Sequence, residues 1–402
     1  MWMCVASCFL SAGVAMSQDF ALRVADPNPL GIGDFVPTSD ELSHAAGFDA
    51  ESNKGGFLYG LGLQAAYDSN FYLTEDDEED ELSMHFQPWF TYTTDPEGGA
   101  LFSLTANYRP SYNVYLNNSE FNGLDHTADL SLFWNGGLTQ VAAFASYQEL
   151  SGTDRLSGTF SSGSVISGGL RAVRQIAPRT SLNGALAYSQ SDYETGNQQG
   201  TQALSGSIGA LWAATERTAI GASIRYTQTE SDYTGTRDAW GLLAEVRYKA
   251  GERIWLSASL GPEFTRDSLT DENDVGMMAD ISARYDITER WSWVNSISTG
   301  TVASPSEAGY LVNNVNFSTE LQHRLIRGVL VGGLSLNYSD YQSVDDTVAE
   351  RDNEENLSMF LGYRRQLWSE RVAFDANVRY RVNSGARDWS QWILSTGFNV
   401  TF

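Results

Sequence analysis

From residue 56 onward the dominant pattern is alternation with period two, which is the signature of strands with two unlike faces. In residues 57 to 67, Phe57, Tyr59, Leu61, Leu63, Ala65 and Tyr67 share one face, and Leu58, Gly60, Gly62, Gln64 and Ala66 share the other. Residues 372 to 381 set Val372, Phe374, Ala376, Val378 and Tyr380 against Ala373, Asp375, Asn377, Arg379 and Arg381. Soluble strands usually run about 5–6 residues, whereas these approach the ~10-residue crossings of a membrane barrel. Pro88, Pro110 and Pro262 fall inside predicted strands. Each deletes a ladder donor, so a bulge or local bend is expected there.

Aromatic residues punctuate the alternation about every 40 residues. One series, Tyr67, Tyr108, Tyr147, Tyr188, Tyr226, Phe264, Tyr338 and Tyr380, closes an apolar face before a polar loop, with one member missing between Phe264 and Tyr338. A second series, Tyr92, Trp134, Trp212, Tyr248, Tyr285, Tyr363 and Phe402, falls near the opposite strand ends. Two rings of aromatics are what two membrane–water interfaces select. A propeller blade would pack four short strands into the same repeat, and no Gly-His or Trp-Asp signature recurs.

Eight short turns alternate with nine longer polar connections, around 70–80, 114–125, 150–163, 191–200, 229–238, 266–274, 301–308, 340–354 and 382–388. Together they predict an all-β, antiparallel transmembrane barrel of 18 strands over residues 56–402, with 16 as the alternative count. The short turns would face the periplasm and the long loops the exterior.

The ends add direction. Residues 1–17 hold a short apolar run and the only cysteines, Cys4 and Cys8, and suit a signal peptide for Sec-type export cleaved after Ser17, although Lys and Arg are absent from its start. Residues 18–55 lack periodicity and contain Pro27, Pro29 and Pro37, which reads as a periplasmic lead-in or a lumen plug. The final segment carries Ser395, Gly397, Val400 and Phe402, which resembles the C-terminal insertion signal read by the barrel-assembly machinery of bacterial outer membranes.

Charge excludes some functions. With 50 acidic and 25 basic residues the net charge is -25, which argues against nucleic-acid binding. A cysteine-free body excludes a thiolate metal site or a Cys nucleophile, and no metal cluster, phosphate loop or cofactor motif appears. The inward face carries Arg171, Arg225, Arg247, Arg284, Arg364 and Arg379 against Asp129, Glu245, Glu263, Asp280, Glu320 and Asp375, with Gln64 and His85 beside them. Six bases against six acids describe either screening rings for solutes or cross-strand pairs that stiffen the wall. Small residues on that face, among them Gly60, Gly62, Ser205, Ser207, Gly209, Ser257, Ser259 and Gly261, suggest a partly open lumen. Surplus acid lies in the loops, as in Asp76–Glu81 and around 345–355, giving an acidic outer face. The run Asp76–Glu81 reads as a solvated loop without the spacing of a calcium site. Four histidines are present, His44, His85, His126 and His323, and the sequence alone assembles no catalytic set around them.

At Tyr67-Asp68-Ser69-Asn70, followed by an acidic loop and a strand carrying Pro88, the chain resembles the β-barrel porin type-2 family of Gram-negative bacteria. The resemblance covers roughly 56–402. It implies an outer-membrane barrel embedded in lipid and lipopolysaccharide, with a part in polysaccharide passage beside periplasmic export components, and it implies no catalytic residues. Passive passage of small solutes or polysaccharide is the leading expectation. A plugged structural or surface-interaction barrel is the alternative, and an outer-membrane hydrolase using His85 is a third.

Overall fold

The computed structural model describes residues 56–95, 100–153, 160–193, 200–231, 235–268, 273–303, 310–343, 351–367 and 371–402. The expected signal peptide and lead-in lie outside these residues. Alternation produces eighteen strands: β1 (Phe57–Asp68), β2 (Glu81–Thr93), β3 (Phe102–Tyr115), β4 (Gly123–Asn135), β5 (Thr139–Thr153), β6 (Phe160–Ala177), β7 (Thr180–Tyr193), β8 (Thr201–Ala213), β9 (Thr218–Ser231), β10 (Gly235–Lys249), β11 (Ile254–Asp267), β12 (Asn273–Asp286), β13 (Trp291–Ala303), β14 (Tyr310–Leu325), β15 (Gly328–Ser343), β16 (Glu354–Gln366), β17 (Val372–Ser384) and β18 (Trp389–Thr401).

Each strand pairs antiparallel with its neighbours in sequence, and β18 closes on β1 through Gly60↔Thr401 to Asp68↔Ile393. Closure leaves no free sheet edge, which hydrocarbon requires. Following ladder partners once round returns to β1 roughly 22 residues along, which tilts the strands by about 40°. Among the described residues no helix is long and apolar enough to cross a membrane; the strands do the crossing.

The outer face is an apolar band. Leu63, Met84, Leu130, Leu186, Ile208, Ile224 and Leu242 are all exposed on it. With the stagger allowed for, the aromatics fall at two levels about 20 Å apart. Tyr67, Tyr147, Tyr188, Tyr226, Phe264, Tyr338 and Tyr380 form the upper level, and Tyr92, Trp134, Trp212, Tyr248, Tyr285 and Phe402 the lower. Tyr108 and Tyr363 lie between the levels, and Tyr108 hydrogen-bonds the imidazole of His126 at 2.8 Å.

Two expectations change. The strands run further into the outer connections than the loop signals indicate; β5 reaches Thr153 and β6 starts at Phe160, inside the stretch 150–163. Ladder pairing carries on past the point where polar residues begin, because backbone bonds do not depend on side-chain polarity. The strand prolines produce no bulge. Pro88 and Pro110 stand opposite each other, and the β2–β3 ladder lapses between Phe86↔Tyr112 and Phe90↔Tyr108 with its register intact. At Pro262 the β10–β11 ladder lapses in the same way between Gly241↔Glu263 and Ala244↔Leu260. A missing donor removes single bonds, and bonds on both sides of the gap hold the register.

Candidate solute pathway through the lumen

The strand register turns Gln64, His85, Asp129, Arg171, Arg225, Glu245, Arg247, Glu263, Asp280, Arg284, Glu320, Arg364, Asp375 and Arg379 to the inner face. Most are half-buried, whereas His85, Glu263 and Asp280 are buried. The ions pair within the wall. Arg364 bonds Asp375 on the next strand, and Asp375 also accepts from Asn399 at 2.6 Å. Arg284 bonds Asp286 at 3.1 Å. Arg225 reaches from β9 to Asp280 on β12, also at 3.1 Å, so this pair braces the inner wall across two intervening strands. Arg379 lies over the ring of Phe360 at 5.6 Å. Pairs of hydroxyls continue the polar lining, with Ser146–Ser167, Ser257–Ser282 and Ser296–Ser318 each at 2.6 Å. Half-exposed ion pairs of this kind contribute about 0–1 kcal/mol each to stability. Their larger effect is to present both signs of charge to anything passing.

The inner face also carries ions that alternation alone does not select. Arg109 and Arg237 belong to it, with Asp68, Glu81, Asp125 and Glu354 nearer the mouth; Arg381 joins them on the face that alternation already gives to Asp375 and Arg379. Arg109 escapes because Pro110 interrupts the pattern beside it. The small residues do less to open the lumen than their size suggests. Gly60 sits under the indole of Trp89, Gly169 under the ring of Phe144, and Gly333 under that of Phe360, so these glycines seat inward-pointing aromatics.

Among the described residues, the first outer loop, residues 69–80, packs at the mouth. Phe71 and Leu73 are buried there, Phe71 against Tyr72, Tyr115, Phe121 and Phe160. Leu73 adopts φ 52, a left-handed conformation that costs a leucine roughly 1–2 kcal/mol and persists only when its surroundings fix it. They do. Arg387 donates to the Leu73 carbonyl at 2.9 Å, and the Asn70 amide donates to the carbonyls of Thr74 at 2.7 Å and Ser390 at 3.0 Å. Asp68 accepts from Gln391, and Ser69 exchanges hydrogen bonds with Trp392. The Tyr67-Asp68-Ser69-Asn70 segment therefore fastens the loop to β18 at the point of barrel closure.

Asp76 to Asp80 are exposed, but Glu81, the last acid of the run, is buried. Its carboxylate accepts from the Leu116 and Asn117 backbones at 2.7 and 3.1 Å and from the Asn118 amide at 2.7 Å, joining the first two outer loops. Tyr72 donates its hydroxyl to Asn118. Its pKa is pushed up by burial and by the nearby Glu120, Glu79 and Glu81 carboxylates.

The fold also assembles a set that sequence reading does not. His85 lies between Ser83 Oγ, 2.8 Å from Nε2, and Asn113 Oδ1, 2.7 Å from Nδ1. Asn113 donates to Asp125, which also accepts from Ser151. The contacts fix a tautomer in which Nδ1–H donates to Asn113 and Nε2 accepts from Ser83. All three residues are buried, and the trio ties β2 to β3 just above the proline lapse. At the C-terminus, Ser395 and Gly397 face inward, and Val400 and Phe402 outward. Phe402 stacks on Tyr59 at 5.7 Å and donates its N–H to the Tyr59 carbonyl, which ends the closing ladder.

No protein-family model and no curated protein matches the chain. Solved structures align with the chain at low identity. OpdK of Pseudomonas aeruginosa, an outer membrane protein, is 12% identical over 86% of this chain and 99% of its own, with a TM-score of 0.44. OccAB4 of Acinetobacter baumannii is 11% identical over 88% of this chain and 100% of its own, with a TM-score of 0.45. The FrpB iron transporter of Neisseria meningitidis is 7% identical over 81% of this chain with a TM-score of 0.44, and the match spans 62% of FrpB. At this level of likeness the architecture rests on the chain's own geometry. Closed pairing, an apolar outer band between two aromatic levels and a polar inner face make this chain an 18-stranded antiparallel transmembrane β-barrel.

Proposed function

We propose that the protein is a passive channel of a Gram-negative outer membrane that carries small hydrophilic solutes through its lumen. The observation that carries this reading is the inner face itself. Bases and acids of both signs stand half-exposed along it, as they would beside a solvated path. Because the signs are mixed, weak selectivity between small anions and cations is the expected behaviour. A polysaccharide is a finer reading that rests on the family resemblance alone, as do periplasmic export components as partners. Lipid and lipopolysaccharide would surround the band, and the assembly machinery would read Ser395, Gly397, Val400 and Phe402. Single-channel recording in planar bilayers tests the channel. A current from the full-length chain supports it. No current from the full-length chain, but current after deletion of 18–55, would replace it with a plugged barrel.

The contact geometry of Ser83, His85 and Asn113 favours one second reading, acyl hydrolysis with Ser83 as nucleophile and His85 as base. Burial of the trio makes that depend on the first outer loop lifting. Covalent labelling by a fluorophosphonate that Ser83→Ala abolishes would establish it, and an unlabelled wild-type barrel would remove it.

A further inference from the structure

Six successive short turns place an arginine at one structural position. Arg179, Arg217, Arg253, Arg290, Arg327 and Arg371 each stand directly before the strand that returns from the turn, β7, β9, β11, β13, β15 and β17 in order. In every case the arginine carbonyl accepts a rung from the next strand, from the N–H of Ala213, Lys249, Asp286, Arg324, Gln366 and Thr401 respectively, at 2.7–2.8 Å. A backbone carbonyl does this for any residue type, so the turn itself does not call for arginine. The two remaining short turns, Asp95-Pro96-Glu97-Gly98 and Asn135-Gly136-Gly137, carry none.

Their height is set by the aromatics. Ala213, Lys249, Asp286 and Thr401 each adjoin a ring of the lower level, namely Trp212, Tyr248, Tyr285 and Phe402. The arginines therefore stand about one rung beyond that level, at the depth of lipid head groups. All six are exposed. Arg174, Arg324 and Arg365 add exposed bases to the same rim, against the exposed acids Glu216, Glu252 and Glu289 among the described residues. Among those residues no ion pair engages Arg179, Arg217, Arg290 or Arg327. At the opposite end the exposed charges are mostly acids, as in Asp76 to Asp80, Glu120, Asp192 and Glu230. Charge thus reverses along the barrel axis, and the basic end is an arc over β6 to β17 that leaves β2 to β5 bare.

We propose that this arc binds the phosphate groups of anionic phospholipids in the leaflet that meets the short turns. A guanidinium is a planar fork of donors that fits phosphate oxygens in pairs, and a base beside an anionic lipid surface is attracted to it. The rings favour a lipid over a soluble acidic partner. One phospholipid can lay its upper acyl chain against Trp212, Tyr248 or Tyr285 while its phosphate meets the arginine one rung away. The arc is a property of the wall and does not depend on which solute the lumen carries.

The test uses the full-length chain in phosphatidylcholine vesicles with a minority of phosphatidylglycerol in both leaflets, so the direction of insertion does not matter. Trace phosphatidylglycerol or phosphatidylcholine, each with a diazirine near the carboxyl end of one acyl chain, is added in separate samples. After irradiation, adducts are mapped by mass spectrometry. Trp134 on β4, at the same level in the bare sector, is the internal reference. The ratio of phosphatidylglycerol to phosphatidylcholine adducts at Tyr248 and Tyr285 is expected to exceed that at Trp134 about fivefold. Replacing Arg217, Arg253 and Arg290 together by Gln should bring it down to the Trp134 value, and replacing them by Lys should keep it raised. Heat-modifiable migration checks that each variant is folded. A wild-type ratio no higher than at Trp134 overturns the proposal, and so does a raised ratio that the folded Gln variant leaves unchanged. Single-channel current from the wild type reports separately on the channel, so the two readings fail independently.

Discussion

Two sectors of this barrel handle a broken ladder in opposite ways. Around β18, β1, β2 and β3 the lapse at Pro88 and Pro110 lies between paired segments, and side chains fasten everything above it. Ser83, His85 and Asn113 bridge the strands, and Asn70 and Glu81 hold the folded-in loop. Between β12 and β13 the described ladder ends at Asp280↔Ser298, and above it the Thr299 hydroxyl bonds across from β13 to Ala279 and Met277 on β12. The difference shows that a lost backbone bond in a barrel wall does little when pairing continues beyond it. The same loss at the end of a ladder leaves the two strands above it with fewer ladder pairs between them.

The largest effect is expected at Glu81. Glu81→Ala leaves the Asn117 N–H and the Asn118 amide without this acceptor and Leu116 with only its bond to the Leu82 carbonyl, and we expect a loss of about 3 kcal/mol. Urea titration of tryptophan fluorescence in vesicles would measure it. Release of the loop should also raise single-channel conductance, whereas a variant as stable and as conductive as wild type would show that the loop is not fastened here. Asn70→Ala removes the anchor to Thr74 and Ser390, and about 2 kcal/mol is expected by the same titration.

In the second sector, Asp280→Asn breaks the brace to Arg225, and a loss of about 1–2 kcal/mol is expected, with the conductance ratio of anions to cations moving toward anions. Equal anion and cation permeability before and after would mean that the pair does not face the path. At the small end, Glu78→Ala alters an exposed loop acid, and a change within about 0.5 kcal/mol is expected. A large loss there would imply that the acid run has a structural role beyond Glu81.

Much of the architecture is legible in the alternation, because a wall with lipid on one side and polar groups on the other writes its period into every strand. Eighteen strands, closure at the C-terminus and the inward face of Arg225, Asp280, Arg364 and Asp375 follow from it. The mouth does not, because the loop 69–80 has no period. Its one signal is Phe71-Tyr72-Leu73, an apolar triplet inside a polar connection, which is how a loop with its own small core is written. The trio at His85 stayed hidden for another reason: Asn113 lies on the next strand, and only the register brings it within reach.

The proposed channel is a solvated path of mixed charge with residues 69–80 packed at its mouth. Single-channel recording of the full-length chain beside Glu81→Ala tests it most directly. A steady current is expected from the wild type and a larger one from the variant. Silent membranes from both, with folded protein confirmed in each, would contradict it.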